Sequence, residues 1–410
     1  MHILFLADNF PPEVNAPASR TFEHCREWVA AGHAVTVITC APNFPGGKLL
    51  DGYRNRLWQT EDMAGIRVVR VWSYITANDG FTKRVLDYVS YMLAASVAAL
   101  FVRRVDVVIG TSPQFFTAVA AWLTGALKRR PWIFELRDIW PESIKTVGAL
   151  ESGKVIRALE RLELFLYRKS TRVIAVTQAF RENLVAREID RAKIDVVTNG
   201  VDLSRYTPRA KDAALEAALG LQGTFVAGYI GTHGMAHSLE TLLDAAEILA
   251  RSPGGKDIVI LLLGDGARKA ALVEDAARRG LTNLRFETSV PKDEVVRYWS
   301  LLDVSLIHLR ASELFETVIP SKMFEAMAMG IPMLMGVRGE AAAILNEAQA
   351  GETFAPEDAQ ALAGALLRLA DDRQTCARYA AASIAAAPSF DRKVLAGRML
   401  AIIEAVAGQR

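Results

Sequence analysis

The feature that most constrains the fold of this chain is an alternation of short, β-branched runs with helical patterns, which occurs twice along the sequence. Such an alternation is typical of a parallel sheet with helices on both faces. In the first half of the chain, the predicted strands are residues 2–7, 34–40, 67–74, 106–111, 132–136, 172–176 and 194–198. The predicted helices between them are residues 19–31, 82–103, 115–128, 153–168 and 179–187.

A break near residues 199–212 separates this pattern from a second one. Asn199-Gly200-Val201-Asp202 ends a strand in a turn, and a polar stretch follows as far as Asp212. The alternation then restarts, with predicted strands at residues 225–230, 257–263, 284–287, 304–309 and 332–335. The predicted helices are residues 240–250, 267–279, 292–299, 321–329 and 359–371, and an Ala-rich helical tail follows at 392–407.

These patterns predict an α/β protein of two doubly wound, Rossmann-like domains in tandem, formed by residues 1–203 and 204–390. We expect a hinge near residues 200–212 and a C-terminal helix, residues 391–410, that packs back on the first domain. Ligands of doubly wound folds bind outside the carboxyl ends of the strands. We therefore expect the functional site in a cleft between the two domains.

The composition argues against several classes of protein. Half of the 410 residues are hydrophobic and 23% are charged, as in soluble globular proteins. The three cysteines and six histidines have no metal-ligand or redox spacing, so we predict no metal site and a reducing, cytoplasmic location. The first seven residues lack the basic region of a signal peptide, and no glycine-rich turn follows the first strand, which argues against a nicotinamide dehydrogenase.

An apolar stretch at residues 85–102 lies between Lys83-Arg84 and Arg103-Arg104. We expect a buried helix, because a helix that is apolar all round usually lies inside a core. A membrane-surface helix with basic ends and a membrane span are the alternatives. Residues 1–200 contain 26 basic and 20 acidic residues, which suits an anionic partner such as a phospholipid surface or a diphosphate-bearing acceptor. Ordinary scatter of solvated charge explains this excess equally well.

Two glycine-containing turns in the second half follow predicted strands. Gly231-Thr232-His233-Gly234 and Gly264-Asp265-Gly266 each lead from a strand into a helix. Backbone N–H groups at such a turn bind phosphate groups, so the pair indicates a diphosphate site. Either turn by itself is equally compatible with a role in packing alone.

The most informative segment is residues 313–332, in which Pro320-Ser321 starts a helix and Gly330-Ile331-Pro332 ends it. Glu325 lies near the start of this helix, where its carboxylate could accept two hydrogen bonds from a ribose diol. Lys322 lies one turn earlier and could neutralise a phosphate. The alternative is an ordinary surface Lys–Glu pair.

These segments, together with Asn199-Gly200-Val201-Asp202, resemble the retaining GT-B glycosyltransferase family 4 over essentially the whole chain. Asn9-Phe10-Pro11-Pro12-Glu13 and the segment Arg137-Asp138-Ile139-Trp140-Pro141-Glu142-Ser143 are closest to bacterial O-antigen and capsule fucosamine-type transferases. The resemblance implies transfer of a sugar from a nucleotide donor, usually UDP-linked, with retention of configuration and with no obligatory metal or other cofactor. The acceptor is expected to be a saccharide or a polyprenyl-diphosphate-linked sugar. The basic N-terminal half and the apolar stretch from Val85 make peripheral contact of a cytoplasmic protein with the inner membrane face the accompanying hypothesis.

The resemblance also implies roles for individual residues. Glu325 would bind the ribose, and the segment Thr288, Ser289 and Val290 would hold the base. The implied diphosphate-side residues are Gly231, Thr232, His233, Gly234, Gly264, Gly266, Arg268 and Ser321. The implied acceptor-side residues are Asn9, Pro12, Glu13, Asn15, Ser19, Arg20 and Arg137, of which Arg137 is equally compatible with an ion pair to Glu135 or Glu142.

The sequence departs from the family pattern at three places. Asp138 stands where many relatives have a histidine that touches the donor sugar, and its alternative role is a helix N-cap. The first glutamate of the family's Glu-x7-Glu pair would fall at Thr317, so Glu316 or Glu313 is the candidate substitute. Thr232 and His237 replace the usual Arg and Lys after the first glycine turn, and the hypothesis is that Lys322 supplies the missing charge, with Arg310 or Arg268.

Asp138, Lys322 and Glu316 are accordingly the predicted catalytic residues. The family mechanism implied is a same-face displacement in which the leaving phosphate accepts the proton of the acceptor. Two competing functions fit the same architecture: a UDP-sugar 2-epimerase and a non-enzymatic, two-lobed sugar-binding protein. The epimerase needs a cluster of acid and base side chains, and the binding protein is disfavoured by the sequence of the N-terminus.

Overall fold

The computed structural model describes residues 1–44, 46–76, 81–139 and 153–408. The chain forms two compact units, one of Met1–Asn199 with Arg392–Arg410 and the other of Gly200–Asp391. The first unit ends at residue 199, whereas the sequence pattern predicted that the first domain ends at residue 203. The motif residues 140–143 and the predicted helix start after Pro141 lie outside the described residues.

The first unit contains an eight-stranded sheet with the order β3-β4-β2-β1-β5-β6-β7-β8. All neighbouring strands are parallel except β3, which runs antiparallel to β4 at the edge. Hydrophobic clusters cover both faces of the sheet. The strands are β1 (His2–Leu6), β2 (Ala34–Cys40), β3 (Trp58–Met63), β4 (Ile66–Val71), β5 (Val107–Thr111), β6 (Trp132–Leu136), β7 (Arg172–Ala175) and β8 (Ile194–Val196).

Side-chain caps start several helices of this unit. Asn15 caps the first helix, Gln114 the third and Thr177 the fifth, each through an oxygen that accepts a backbone N–H. The helices are α1 (Ala16–Ala30), α2 (Phe81–Phe101), α3 (Phe115–Lys128), α4 (Gly153–Lys169) and α5 (Gln178–Ala186). The C-terminal helix (Arg392–Gly408) packs on α1, where the indole Nε1 of Trp28 donates to Ala396 O at 2.9 Å and Arg392 pairs with Glu23.

Two features of the first unit differ from the sequence-based predictions. Strand β3 was not predicted, because its side chains alternate between half-buried and exposed positions at a sheet edge and form no apolar run. The prediction that the helix at 85–102 is buried is wrong over most of its length. The window Lys83–Phe101 is long and apolar enough to cross a membrane by length and composition alone, yet only 22% of it is buried.

The second unit contains a six-stranded parallel sheet with the order β11-β10-β9-β12-β13-β14. Its strands are β9 (Phe225–Ile230), β10 (Ile258–Leu263), β11 (Leu284–Glu287), β12 (Val304–His308), β13 (Met333–Gly336) and β14 (Gly351–Thr353). Its helices are α6 (Ala213–Ala218), α7 (Glu240–Arg251), α8 (Lys269–Arg278), α9 (Lys292–Leu301), α10 (Glu313–Glu316), α11 (Lys322–Met329), α12 (Glu340–Ala348), α13 (Ala359–Asp371) and α14 (Arg373–Ala386); the C-terminal helix is α15.

Helices α12 and α14 and strand β14 were not predicted from the sequence. Both helices are rich in alanine, so their apolar stripes are weak, and β14 has only three residues. The register of the strands places the candidate sites. Ile230 pairs with Leu263, so the turns after β9 and β10 are neighbours. Leu6 pairs with Gly110, and Thr111 with Glu135, which brings together the segments after β1, β5 and β6.

Candidate functional site

The two glycine turns of the second unit lie against each other. A Cβ at Gly264 would come within 1.9 Å of Gly231 O, and a Cβ at Gly266 within 2.5 Å of His233 O. Both glycines also have positive φ, of 148° and 157°, which L side chains rarely adopt. Gly264 and Gly266 are therefore required for the close packing of the turns. The N–H of Gly264 donates to Glu287 O at 3.2 Å, so this amide is not available to a phosphate.

Only part of the first turn offers free backbone donors. The N–H of Gly231 donates to Leu263 O and that of His233 to Asp265 O, both at 2.9 Å. Within the described part of the chain, the N–H groups of Thr232 and Gly234 have no acceptor. The backbone donors of the predicted phosphate-binding turn that remain free to bind a phosphate are therefore these two amides, one on each side of His233.

The side chain of Lys322 enters this turn from the start of helix α11. Its Nζ lies 3.6 Å from the ring centroid of Tyr229 and has no hydrogen-bond partner among the described residues. A Cβ at Gly231 would come within 2.7 Å of this Nζ, so the absence of a side chain there creates the space that the ammonium occupies. Burial lowers the pKa of Lys322 to about 7, against the opposing effect of Glu325. A buried ammonium without an acceptor is costly unless an anion completes the site.

Two histidines line the same turn and are neutral at pH 7. Burial, with the charges of Lys269 and Lys322, lowers the pKa of His233 to about 4. Burial and the charge of Lys322 also lower the pKa of His237 to about 4. His233 is fully buried and neither of its ring nitrogens has a partner within the described residues. Because both imidazoles are neutral, positive charge at this turn comes from lysines, and Lys322 is the one whose Nζ lies against Gly231.

The predicted base-binding segment is held by the second glycine turn. The N–H of Ser289 donates to Asp265 Oδ2 at 2.8 Å, and Lys269 Nζ donates to Asp265 Oδ1 at 3.0 Å. The hydrogen bonds from Ser289 and Lys269 hold the pKa of Asp265 well below its usual range. Thr288 and Ser289 are exposed and Val290 is half-buried. The segment is therefore fixed in position and accessible to a planar ligand.

Arg268 forms an ion pair with Glu240. Its guanidinium donates to Glu240 Oε1 through both Nε, at 3.1 Å, and NH2. This ion pair engages two of the five N–H donors of Arg268, so a contact of this residue with the diphosphate stays a prediction. Arg310 is exposed, and its backbone N–H donates to Ala236 O at 2.9 Å.

Helix α11 carries Glu325 three residues after Lys322, on its first turn. Glu325 and the N-cap residue Ser321 are both half-buried, so each is accessible at the start of the helix. A carboxylate in this position is favoured by the positive end of the helix. Gly330, with a φ of 69°, ends the helix as predicted.

The residues at the first position of the Glu-x7-Glu pair lie on the short helix α10. The hydroxyl of Thr317 donates to Leu314 O at 2.7 Å, so it closes this helix. Glu316 is half-buried and lines a small cavity with Arg310 and Arg338. Glu316 thus borders this cavity, and Glu313, the other candidate substitute, is exposed on the same short helix.

In the first unit, most of the predicted acceptor residues have internal partners. Glu13 is buried, and its carboxylate accepts from the backbone N–H groups of Asn43 and Phe44 at 2.8 and 2.9 Å. Burial raises the pKa of Glu13 against these hydrogen bonds. Asn15 caps α1 and also donates to Asn9 Oδ1 at 2.7 Å. These residues hold the loop after β1 in shape, whereas Pro12 is exposed on it.

Arg20 and Ser19 are likewise buried, which argues against direct contact with an acceptor. Arg20 is 3% exposed and donates to Glu135, and also to the carbonyl oxygens of Val197 and Thr198. Ser19 Oγ donates to Asn15 O at 2.9 Å. The sequence motif places these side chains correctly in the loop-to-helix segment, but their hydrogen bonds are those of a structural support.

Asp138 and Arg137 follow β6, at the carboxyl edge of the sheet. Their backbone N–H groups both donate to Ser112 Oγ, at 3.2 and 2.7 Å. Asp138 is half-buried. Burial lowers the pKa of Arg137 to about 10, although the nearby charge of Glu135 opposes this shift. Of the two ion-pair partners considered for Arg137, Glu135 is therefore close, and Glu142 lies outside the described residues.

A cavity of about 160 Å³ opens between the segments after β1 and β5. Of the predicted acceptor residues, only Asn9 lines it. Its other polar walls include Asp8, Asp87 and Thr21, which the sequence motifs did not single out. The sequence feature that could have identified this cavity is the position of Asp8 directly after a buried strand, because ligands of doubly wound sheets bind at that end of the strands.

Comparisons with known proteins agree with this architecture. The family model described as "Glycosyl transferase 4-like domain" matches residues 15–200. The family model described as "Glycosyl transferases group 1" matches residues 224–372. The first match lies within the first unit except for its last residue, Gly200, and the second lies within the second unit.

Similar proteins include a "Putative colanic acid biosynthesis glycosyl transferase WcaI" of Escherichia coli (strain K12), which is 25% identical over 80% of this chain and 82% of the relative. A "GDP-mannose-dependent alpha-mannosyltransferase" of Mycobacterium tuberculosis is 24% identical over 100% of this chain and 98% of that protein. Among solved structures, HepE of Anabaena in complex with UDP-glucose matches with a TM-score of 0.73 and 18% identity, over 99% of this chain and 100% of that one. The last similarity shows the shared fold.

The two family models match most of the chain, one in each unit, and the paired Rossmann-like sheets are those of the GT-B fold. The chain belongs to the GT-B glycosyltransferases of family 4.

Proposed function

We propose that this glycosyltransferase moves a sugar from a UDP-sugar to a lipid-linked or saccharide acceptor in bacterial surface polysaccharide synthesis, with retention of configuration. The observation that carries the donor assignment is the Nζ of Lys322, which is buried beside the glycine turn and has no acceptor in the part of the chain that the structure describes. The family assignment sets aside the 2-epimerase and the non-enzymatic binding protein. The role in polysaccharide synthesis is supported by the similarity to the colanic acid transferase.

The donor diphosphate would lie between the free amides of Thr232 and Gly234 and the ammonium of Lys322. During transfer, the leaving diphosphate gains negative charge while the sugar becomes oxocarbenium-like, so fixed positive groups at the phosphate lower the barrier. Lys322 is suited to this role because it is already desolvated, so its charge interacts strongly with an anion. Its charge would also replace a metal ion at the diphosphate.

Glu325 would accept hydrogen bonds from the ribose hydroxyls, and the segment at Thr288, Ser289 and Val290 would contact the base. UDP is favoured because HepE has the same fold and was solved with UDP-glucose. The GDP-mannose-dependent relative makes GDP the competing nucleotide. Glu316, at the open cavity with Arg310 and Arg338, would contact the donor sugar in place of the glutamate expected at residue 317.

The proposed chemical step is a same-face displacement. The bond between the anomeric carbon and the phosphate oxygen breaks, and a bond to the acceptor oxygen forms on the same face. The proton of the acceptor hydroxyl moves to the departing phosphate oxygen, so the step needs no protein nucleophile. Asp138, at the carboxyl edge of the first sheet, would position the acceptor hydroxyl or the donor sugar.

Nucleotide binding tests this proposal directly. We expect UDP to raise the melting temperature more than GDP, ADP or uridine, because a ligand that binds only the folded state stabilises it. The measurement is a thermal-shift titration with EDTA present, followed by NMR detection of the anomeric configuration of the transferred sugar. An equal shift with every nucleotide, or isomerisation of a UDP-sugar in the absence of acceptor, would contradict the proposed function.

The exposed face of helix α2 supports peripheral membrane contact. Leu86, Leu93, Val97, Leu100 and Phe101 are each between 49% and 69% exposed. Their spacing places them on one side of the helix, which we call the α2 apolar face. The basic pairs at residues 83–84 and 103–104 lie at its two ends. Apolar side chains between basic ends are the pattern of a helix that lies in a membrane interface and attracts anionic lipid.

Replacing Leu93 and Val97 by serine is expected to weaken binding to anionic vesicles by about tenfold, because the buried apolar area is lost. The measurement is co-sedimentation with vesicles of phosphatidylcholine and phosphatidylglycerol at low salt. The matched control replaces Val273 and Val394 by serine, which are 40% and 43% exposed and lie outside the α2 apolar face. Equal binding of both double variants would rule out this face as the contact.

A further inference from the structure

The cavity between the segments after β1 and β5 is a polar space whose chemistry the family motifs do not explain. It has a volume of about 160 Å³ and lies wholly within the first unit. Hydroxyl, amide and carboxyl groups line it, including those of Asn9, Asn43, Ser112 and Gln114. Such groups are complementary to the hydroxyl groups of a sugar ring, which both donate and accept hydrogen bonds.

Two of the lining side chains are the carboxyl groups of Asp8 and Asp87, and the surroundings of each disfavour the ionised form. Burial, together with the charges of Asp87 and Glu13, raises the pKa of Asp8 to about 8. Burial raises the pKa of Asp87 to about 6. At neutral pH the carboxyl group of Asp8 is therefore mainly protonated and can donate a hydrogen bond, while that of Asp87 is mainly ionised. The two groups together present one donor and several acceptors to the cavity.

A third lining residue independently indicates a missing ligand. Thr21 is 2% exposed, and its hydroxyl has no hydrogen-bond partner among the described residues. A buried hydroxyl without a partner costs free energy, and native structures seldom retain one without a function. A ligand hydroxyl in the cavity would supply the missing partner.

The cavity also lacks positive charge. None of the described residues that line it is lysine, arginine or histidine. Burial raises the pKa of Tyr88, and the negative charges of Asp8, Asp87 and Asp138 raise it further, while the positive charge of the nearby Arg84 lowers it. An anionic ligand would therefore meet the ionised Asp87 without a compensating cation among the described residues.

We propose that this cavity holds an uncharged, hydroxyl-rich sugar ring of the acceptor, that Asp8 donates a hydrogen bond to this ring, and that the charge of Asp87 excludes rings that carry a phosphate or a carboxylate. This inference rests on the proposed glycosyl transfer, and it names the class of acceptor. The diphosphate of a lipid carrier, where present, must lie outside the cavity. The two carboxyl groups are thus specificity-determining residues for the terminal sugar of the acceptor.

Saturation-transfer NMR on the full chain tests the inference without a donor. The neutral probes are glucose, galactose, mannose and N-acetylglucosamine, and the anionic probes are glucuronate, galacturonate and glucose 6-phosphate. We expect at least one neutral ring to bind at least about tenfold more tightly than its anionic counterpart. The spectra are repeated with saturating UDP, to separate this cavity from the nucleotide site.

Variants of the lining residues then assign the signal to the cavity. Asp8→Asn combined with Asp87→Asn preserves the shape and removes the charge, so the anionic ring should gain affinity by about tenfold. Thr21→Val should weaken the neutral ring by about threefold to tenfold, since the hydrogen bond is lost. The matched control is Asp51→Asn, an exposed aspartate of the same unit that does not line the cavity.

Three outcomes would overturn the inference: anionic rings that bind the unaltered protein as well as neutral ones, a neutral-ring signal that Thr21→Val leaves unchanged, or no neutral ring bound. The nucleotide experiment keeps these failures separate from failure of the proposed function. If UDP raises the melting temperature while the neutral sugars do not bind, the acceptor class is wrong and the donor assignment stands. If neither binds, the proposed function itself is contradicted.

Discussion

Replacing Lys322 by methionine is expected to stabilise the free protein and to lower sugar transfer by about 100- to 1,000-fold. Methionine has a similar length and no charge, so it removes the cost of the buried ammonium beside Tyr229 and Gly231. The same change removes the positive charge that we assign to the donor diphosphate. A residue that served stability alone would not give these opposite effects.

The stabilisation depends on pH in a definite direction. The pKa of Lys322 is lowered to about 7 in the folded protein, from an ordinary value of 10.5. Below pH 7 both the folded and the unfolded chains carry the proton, so the cost of burying the charge is fully expressed. Above pH 7 the folded chain releases the proton and the cost declines. The methionine variant should therefore gain about 4 °C or more in melting temperature at pH 6, and less at pH 9.

Donor binding should take up a proton at the same site. At pH 8 the free protein holds Lys322 mainly neutral, and a bound diphosphate favours the ammonium. Calorimetry of UDP binding in two buffers of different ionisation enthalpy should show an uptake of roughly one proton, absent in the methionine variant. The matched control is Lys256→Ala, an exposed lysine of the same unit. Unchanged turnover in Lys322→Met would remove Lys322 from the diphosphate site.

Replacing Arg20 by alanine is expected to destabilise the first unit by about 3 to 5 kcal/mol. Arg20 Nε lies 2.9 Å from Glu135 Oε1, and the two side chains are only 4% and 1% exposed. Burial alone would raise the pKa of Glu135, but the charges of Arg20 and Arg137 outweigh it and lower the pKa. Without Arg20, the buried glutamate would lose its hydrogen-bonded cation, and of the two arginines only the charge of Arg137 would remain near it. Urea unfolding monitored by tryptophan fluorescence measures the loss.

Two companion variants identify the cause of this loss. Arg26→Ala, on the same helix, removes an exposed arginine whose pair with Glu27 is largely solvated, and should cost less than about 0.5 kcal/mol. Arg20→Met combined with Glu135→Leu removes both buried charges and should recover at least about half of the loss. If Arg20→Ala unfolds like the unaltered protein while transfer is lost, Arg20 acts in acceptor binding and not in stability.

The sequence was most informative where periodicity reports burial. The continuous apolar runs of strands such as β1 and β10 reflect burial on both faces of a parallel sheet, so the strands and their order of appearance could be predicted. The helix stop at Gly330 was also predictable, because few residues other than glycine adopt its left-handed backbone. Edge elements such as β3 have no such run and were missed.

The sequence could not separate functional from structural polar residues. Arg20 and Glu13 stand in the predicted acceptor segment, but their hydrogen bonds lie inside the first unit. Gly264 and Gly266 match a phosphate turn, although their main role is the close approach of two backbones. Asp8 carries no motif, yet it lines the cavity. In each case the contacting residues are distant along the chain, so the local sequence pattern contains no information about the contact.

The sequence by itself determined the two-sheet architecture, the segment of the nucleotide site and the identity of Lys322 and Glu325 as candidates, because these depend on local periodicity, helix ends and a family pattern. Only the tertiary structure decided that Lys322 is buried beside Gly231 without an acceptor, and that α2 has an exposed apolar face. Burial is set by which elements pack together. The charge state of a lysine and the exposure of a leucine therefore follow from the assembled fold.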